Sequence, residues 1–277
     1  MIDADVLRRC AAGEISPEIA LAQLLLSGEP PDPDALAAWA EPGPLARLAA
    51  LAEAHRHRLP ELSALARAGF DPGPDAVAGS AVLFDRLARE APEAGVAFYS
   101  FGDPAALAAA TAELVAVIRA WADPAGRRVL DLGCGIGRVA LALADEAAAV
   151  TGVDVSGGMV AAARERAGAR VRFEQVNGRD LAGFAEASFD CVLAVDSFPF
   201  LVPAGPEAVG GMVGEVARVL AAGGDFLVFN WSYRGNLVLD RSDAEALAAA
   251  HGLTLVRSGD RPFAIWDGTG FHLRRGG

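Results

Sequence analysis

The order of apolar and polar positions divides the chain near residue 98. Before that point apolar residues recur at three- and four-residue spacing, the period of helices with one buried face. In SPEIALAQLLL, Ser16 and Pro17 suit an N-cap and a first helical residue. GPLARLAALAEAHRHR (43–58) keeps the helical spacing, PELSALARAG is expected to end on Gly69 as a C-cap, and a further helix fits 75–91. GEPPDPD (28–34) and FDPGPD (70–75) interrupt the pattern, and the second is the better linker. After the aromatic turn FYSFGDP, Asp103 and Pro104 open a helix to about Ala122. From there short apolar runs alternate with helical ones. The pattern predicts strands at 128–132, 149–153, 170–176, 189–195, 225–231, 253–257 and 262–273, with helices at 137–147, 157–167, 206–221 and 241–251.

Such alternation predicts an α/β fold, a mostly parallel sheet with helices on both faces. Ligands of these sheets bind beyond the carboxyl ends of the strands, so chemistry is sought there. The expected organisation is an all-helical cap or oligomerisation segment over 1–72, followed by a domain over 73–277 whose sheet core begins at about 127.

Composition narrows the chemistry. The 277 residues, 53 % hydrophobic, suffice for one sizeable α/β domain with an extra segment. A net charge of −12 leaves no broad basic face for nucleic acid. All 24 basic residues are Arg, which excludes a Schiff-base lysine and a phosphate-loop lysine. Cys10, Cys134 and Cys191 lack CxxC spacing, so neither a zinc site nor a disulfide framework is expected. His55 and His57 stand two apart on a helix and face different sides, which rules out a shared metal. The start, MIDADVLRRC, lacks an apolar core, and no uninterrupted apolar run reaches about 18 residues. A cytoplasmic protein without a membrane span is expected.

The richest stretch is VLDLGCGIGR (129–138): an apolar strand, then Gly133, Gly135 and Gly137. Glycines allow a tight turn and bring backbone N–H groups close to a ligand. Asp154 follows 21 positions after Gly133, at the end of the next strand, where a carboxylate can accept both ribose hydroxyls of an adenosine. Sheets that bind NAD and sheets that bind S-adenosylmethionine share this spacing. Two residues separate them. The position completing GxGxxG is Arg138, where a dinucleotide fold needs a small residue. Asp131, two residues before the first glycine, would repel a pyrophosphate but suits a cationic amino group. Cys134 reads as a small loop filler and Cys191 as core.

VLDLGCGIGR followed by GVDVSGGMV resembles the first two motifs of class I S-adenosylmethionine-dependent methyltransferases. SFDCVLAVDSFPFL resembles the family's fourth strand and its loop, and EVARVLAAGGDFLVFNWS the helix, Gly-Gly turn and fifth strand. The likeness covers roughly 100–277 in the family's order. It implies a Rossmann-like seven-stranded sheet whose last strand is antiparallel. It also implies that Asp131, Gly133, Gly135 and Gly137 hold the methionine end of S-adenosylmethionine, Asp154 the ribose, and that Ser156 and Met159 lie near the adenosine. NGRDL after the third strand departs from the family's Gly-Asp pair by the insertion of Arg179, so Asp180, Arg179 or a backbone amide would meet the adenine.

Asp196, ending the fourth strand, would line the cofactor or the acceptor. Asp196 and Tyr233 are the candidate bases, needed only if the acceptor atom is protonated at neutral pH. Tyr99, Trp231 and Arg234 are the candidate acceptor contacts, Arg234 for an acidic group; a buried aromatic anchor is the alternative for NWSYRG (230–235). The activity implied is methyl transfer to an O or N atom of a small metabolite or natural-product intermediate. An NAD(P)-dependent oxidoreductase and a non-catalytic S-adenosylmethionine-binding protein are the alternatives.

Overall fold

The computed structural model describes residues 3–27, 30–38, 42–67, 73–167 and 171–277. The C-cap expected at Gly69, the first residues of the 70–75 linker and the 72/73 boundary fall outside them. The chain forms two compact units. The first comprises Met1–Phe70, Glu93–Ala110 and Phe263–Asp267; the second comprises Asp71–Pro92, Thr111–Pro262 and Gly268–Gly277.

The first unit is helical: α1 (Ala4–Ala11), α2 (Pro17–Leu26), α3 (Pro33–Ala37), α4 (Pro44–Ala54) and α5 (Leu59–Arg67). Side-chain caps start several of these, as the sequence suggests. Ser16 Oγ accepts the Ile19 N–H at 3.1 Å and donates to the Ile265 carbonyl at 2.6 Å. Helix α2 buries Ile19, Leu21, Leu24 and Leu25, which leaves it apolar nearly all round.

The second unit holds the sheet. Its strands are β1 (Arg128–Leu132), β2 (Ala149–Asp154), β3 (Arg172–Gln175), β4 (Phe189–Val195), β5 (Leu220–Phe229), β6 (Leu253–Asp260) and β7 (Gly270–Arg275). Their order is β3-β2-β1-β4-β5-β7-β6. Strands β1 to β5 run parallel; β7 pairs antiparallel with both β5 and β6, as the resemblance implies. The helices are α6 (Ala76–Glu90), α7 (Pro92–Val96), α8 (Pro104–Ala122), α9 (Arg138–Leu143), α10 (Gly157–Ala167), α11 (Phe198–Leu201), α12 (Pro206–Val219) and α13 (Leu237–Ala250). Two of them, α7 and α8, carry residues of both units.

The core lies between the sheet and its helices. Leu130, Val192, Phe226 and Val228 are fully buried with Met212, Val213 and Val216 of α12. Each such side chain contributes about 1.5–3 kcal/mol on burial. Strand β5 begins five residues earlier than the pattern predicts. Phe189 pairs with Leu220 but Cys191 with Asp225, so Ala221–Gly224 form a bulge that Gly223, at φ 73°, permits. Strand β7 begins later, at Gly270, because Phe263–Asp267 belong to the first unit.

Helix α8 is long and apolar enough, by length and composition, to cross a membrane. It carries Glu113 and Arg119, and it buries Leu114, Val115 and Ile118. Arg119 bonds Glu146 at 3.0 Å. The expectation of no span rested on an uninterrupted run, which these two charges break.

Candidate functional site

The carboxyl ends of β1, β2, β4 and β5 bring together most of the residues singled out. At the end of β1 the glycines take left-handed backbone: φ is 78° at Gly133, 53° at Gly135 and 77° at Gly137. Neighbours also demand glycine at two of them. A Cβ on Gly133 would stand 2.4 Å from Ser197 Cβ, and one on Gly137 2.5 Å from Phe173 Cζ.

The loop's own N–H groups turn inward. Gly133 and Cys134 donate to the Val153 carbonyl at 2.8 and 3.0 Å, and Gly137 donates to the Cys134 carbonyl at 2.9 Å. Gly135 donates to Asp154 Oδ2 at 2.8 Å. These four amides are therefore engaged within the protein. A diphosphate wants such groups aimed at itself.

What the end of β1 offers instead is a carboxylate. Asp131 is 1 % exposed, and its Oδ2 has no hydrogen-bond partner. Burial pushes its carboxyl up to about 7, against the pull of Arg138. Arg138 also donates to Thr111 Oγ1 at 3.2 Å. Such an orphan acceptor in the interior is costly unless a ligand completes it.

Asp154 ends β2 and knits two loops. Its Oδ1 accepts the Ser156 N–H at 2.9 Å while its Oδ2 takes that of Gly135. Each oxygen keeps a second lone pair. Burial raises its pKa. Ser156 Oγ accepts the Met159 N–H at 3.0 Å, starting α10, and Met159 is fully buried. After β3, Asn177 Oδ1 accepts the N–H groups of Arg179 and Asp180, and Asn177 Nδ2 donates to Asp180 Oδ2 at 2.8 Å. Arg179 pairs with Asp75, the N-cap of α6.

On the other side of β1, Asp196 and Asn230 end β4 and β5. Both hold left-handed backbone, at φ 54° and 71°. Asp and Asn tolerate this conformation better than other side chains, and strain of this kind clusters at functional sites. Asn230 Nδ2 donates to Asp196 Oδ1 at 2.8 Å, and Tyr233 OH donates to Asp196 Oδ2 at 2.9 Å. Tyr233 is 61 % exposed. The structure thus joins the two candidate bases and adds Asn230. Ser197 Oγ, beside the glycine loop, is a second buried polar atom without a partner.

Two expectations change. Trp231 is fully buried between Phe198 and Phe271, each 5.2 Å away between ring centres. It is a core anchor for its loop, not a wall facing an acceptor. Arg234 is already neutralised: its Nη2 bonds Asp240 and, at 2.7 Å, Asp243, while its Nε donates to Ser232. Tyr99 lies in the first unit, buried and stacked 6.1 Å from Trp266. The sequence pattern does not single out Asn230, Ser197 or Asp85. The end-of-strand position that drew attention to Asp196 applies equally to Asn230.

Residues 129–224 match a family model described as a methyltransferase domain. The O-methyltransferase resE of Aspergillus sclerotiorum is 32 % identical over 160 residues, covering 54 % of this chain and 56 % of the fungal protein. The methyltransferase GfsG of Streptomyces halstedii is 34 % identical over 119 residues, 41 % of each chain. This chain therefore spans about half the length of these relatives, or less. Among solved structures, magnesium protoporphyrin IX methyltransferase from Synechocystis PCC 6803, with bound S-adenosylmethionine, superposes with a TM-score of 0.55 at 19 % identity. That match covers 74 % of this chain and 99 % of the other, and it bears on fold alone. Strand order and glycine loop accord with the methyltransferase-domain model that residues 129–224 match.

Proposed function

We propose that this protein transfers a methyl group from S-adenosylmethionine to an O or N atom of a small metabolite or natural-product intermediate. The observation that carries this is the buried, unpartnered Oδ2 of Asp131 beside a loop four of whose amides are engaged within the protein. That end of the sheet fits a cation and not a diphosphate, which also disfavours a nicotinamide cofactor.

When bound, S-adenosylmethionine supplies an electrophilic methyl group. Asp131 would pair with the ammonium of its methionine end. Asp154 would take the ribose hydroxyls on its remaining lone pairs, with Ser156 and Met159 lining the adenosine. Asp180 and the backbone of its turn would meet the adenine. Asp196 and Tyr233 face the acceptor in this scheme. Tyr233 would take the acceptor's proton as its own passes to Asp196, and Asn230 keeps that carboxylate oriented. Methyl transfer is an in-line displacement, so alignment supplies much of the barrier reduction. The acidic net charge favours small acceptors over nucleic acid. The three cysteines are free and buried, in keeping with a reducing cytoplasm.

The test is transfer of a labelled methyl group to a panel of hydroxyl- and amine-bearing small molecules. Label should appear on an O or N atom, and Asp196→Ala should lower turnover about 100-fold. Bound donor with undiminished turnover in that variant would remove Asp196 from the chemistry.

A further inference from the structure

Helix α6 touches both halves of the site through adjacent residues. Asp85 Oδ1 accepts from Ser156 Oγ at 2.6 Å and from the Gly158 N–H at 2.9 Å. It therefore holds the turn that starts α10, directly after Asp154. The approach is close: a Cβ on Gly158 would lie 3.1 Å from Ala88 Cβ. Asp85 also places a carboxylate at the amino end of an eleven-residue helix, where the dipole favours it.

The neighbouring side chain leads the other way. Phe84 meets Phe200 edge-on, with ring centres 4.8 Å apart and planes at 78°. Phe200 in turn meets Tyr233 edge-on, at 5.8 Å and 87°. Tyr233 then donates to Asp196. An unbroken series of contacts runs from Phe84 to the candidate base. Aromatic pairs in this geometry contribute about 0.5–1.5 kcal/mol each beyond their burial. That is enough to bias the orientation of an exposed tyrosine.

We propose that Phe84 and Asp85 are positioning residues: Asp85 fixes the Ser156–Gly158 turn on the nucleoside side, and Phe84, through Phe200, fixes Tyr233 against Asp196 on the acceptor side. The assignment of those two sides rests on the function proposed above. The two residues act on separate parts of the site from one helix. Their effects must therefore be separable, and a general loss of fold would not separate them.

Two readouts on the full chain test this. One is calorimetric affinity for S-adenosylmethionine. The other is ultraviolet titration of the phenol of Tyr233, which is tractable because the chain has two tyrosines and Tyr233→Phe isolates one. Asp85→Ala should weaken the cofactor about tenfold, the loss expected for one charge-assisted hydrogen bond, and leave the Tyr233 titration in place. Asp85→Asn keeps the acceptor oxygen and should restore most of the affinity. If the alanine variant does not fold, Asp85→Ser must show the same tenfold loss. Phe84→Ala should leave cofactor affinity within about twofold, the weight of a contact it does not make. It should shift the Tyr233 titration toward lower pH, since a phenol that no longer donates to a carboxylate ionises more easily. Phe84→Leu should shift it less. If either variant moves both readouts together, or neither, the proposal is wrong. If the unaltered protein does not bind S-adenosylmethionine, the proposed function itself fails, and the Tyr233 titration still decides the role of Phe84.

Discussion

Asp131 concentrates the physics of the site in one side chain. A carboxyl that burial holds at about 7 is partly protonated at neutral pH. A cationic ligand group beside its free oxygen would favour the ionised form. Cofactor affinity should therefore rise as pH increases through about 7, with proton release on binding below that point. Without ligand the folded chain holds a proton that the unfolded chain releases near pH 4, so this group's contribution to stability is lost as pH rises from about 4 to 7. Asp131→Asn should flatten the affinity profile; calorimetry in buffers of different ionisation heat would show whether it does. A profile unchanged by the substitution would remove Asp131 from the cofactor. The position of Asp131 at the end of a strand, two residues ahead of the glycines, was legible in the sequence, where a carboxylate would repel a pyrophosphate and suits a cationic amino group. Asn230 was not. Its meaning depends on the left-handed turn it shares with Asp196 and on a 2.8 Å bond between residues 34 positions apart.

At the scale of elements, the same strands that deliver the site carry a counterweight at their other end. Asp225 of β5 accepts from His272 Nε2 at 2.7 Å, from Arg274 Nε at 2.8 Å and from Arg127 Nη1 at 2.8 Å. Burial alone would raise its pKa, but these three donors outweigh that and hold it well below the usual carboxylate range. The cluster ties β5, β7 and the entry to β1. Its stabilisation is present above the ordinary carboxylate pKa and is lost as pH falls below about 4. Asp225→Asn should cost on the order of 2–3 kcal/mol at pH 7, and less at pH 3, in denaturant unfolding. An equal cost at both values would mean that the charge contributes nothing. Strand positions were readable from apolar runs, whereas the β5 bulge was not, since it is set by pairing with Phe189 and Cys191. The partners of Asp225 were hidden for the same reason. Strand register, not sequence distance, brings them together.

At the scale of the whole molecule, two kinds of information behave differently. The alternation after residue 98 carried the mostly parallel sheet, because each βαβ step has a period that local sequence records, while the antiparallel last strand was implied only by the resemblance. Contacts between distant segments left no such record. Nothing in AVLFDRLA announces that Phe84 and Asp85 reach separate loops of the site, and nothing in RPFAIWDG announces that Phe263–Asp267 join the helical unit. The acceptor is obscure for a related reason: of the three residues expected to contact it, Trp231 is core and Arg234 is neutralised by its own loop. The central claim is the identity of the cofactor. It is tested most directly by isothermal titration of the purified protein with S-adenosylmethionine and, separately, with NADH. The account predicts saturable binding of S-adenosylmethionine alone, lost in large part on Asp154→Ala. Binding of NADH with no heat from S-adenosylmethionine would contradict it.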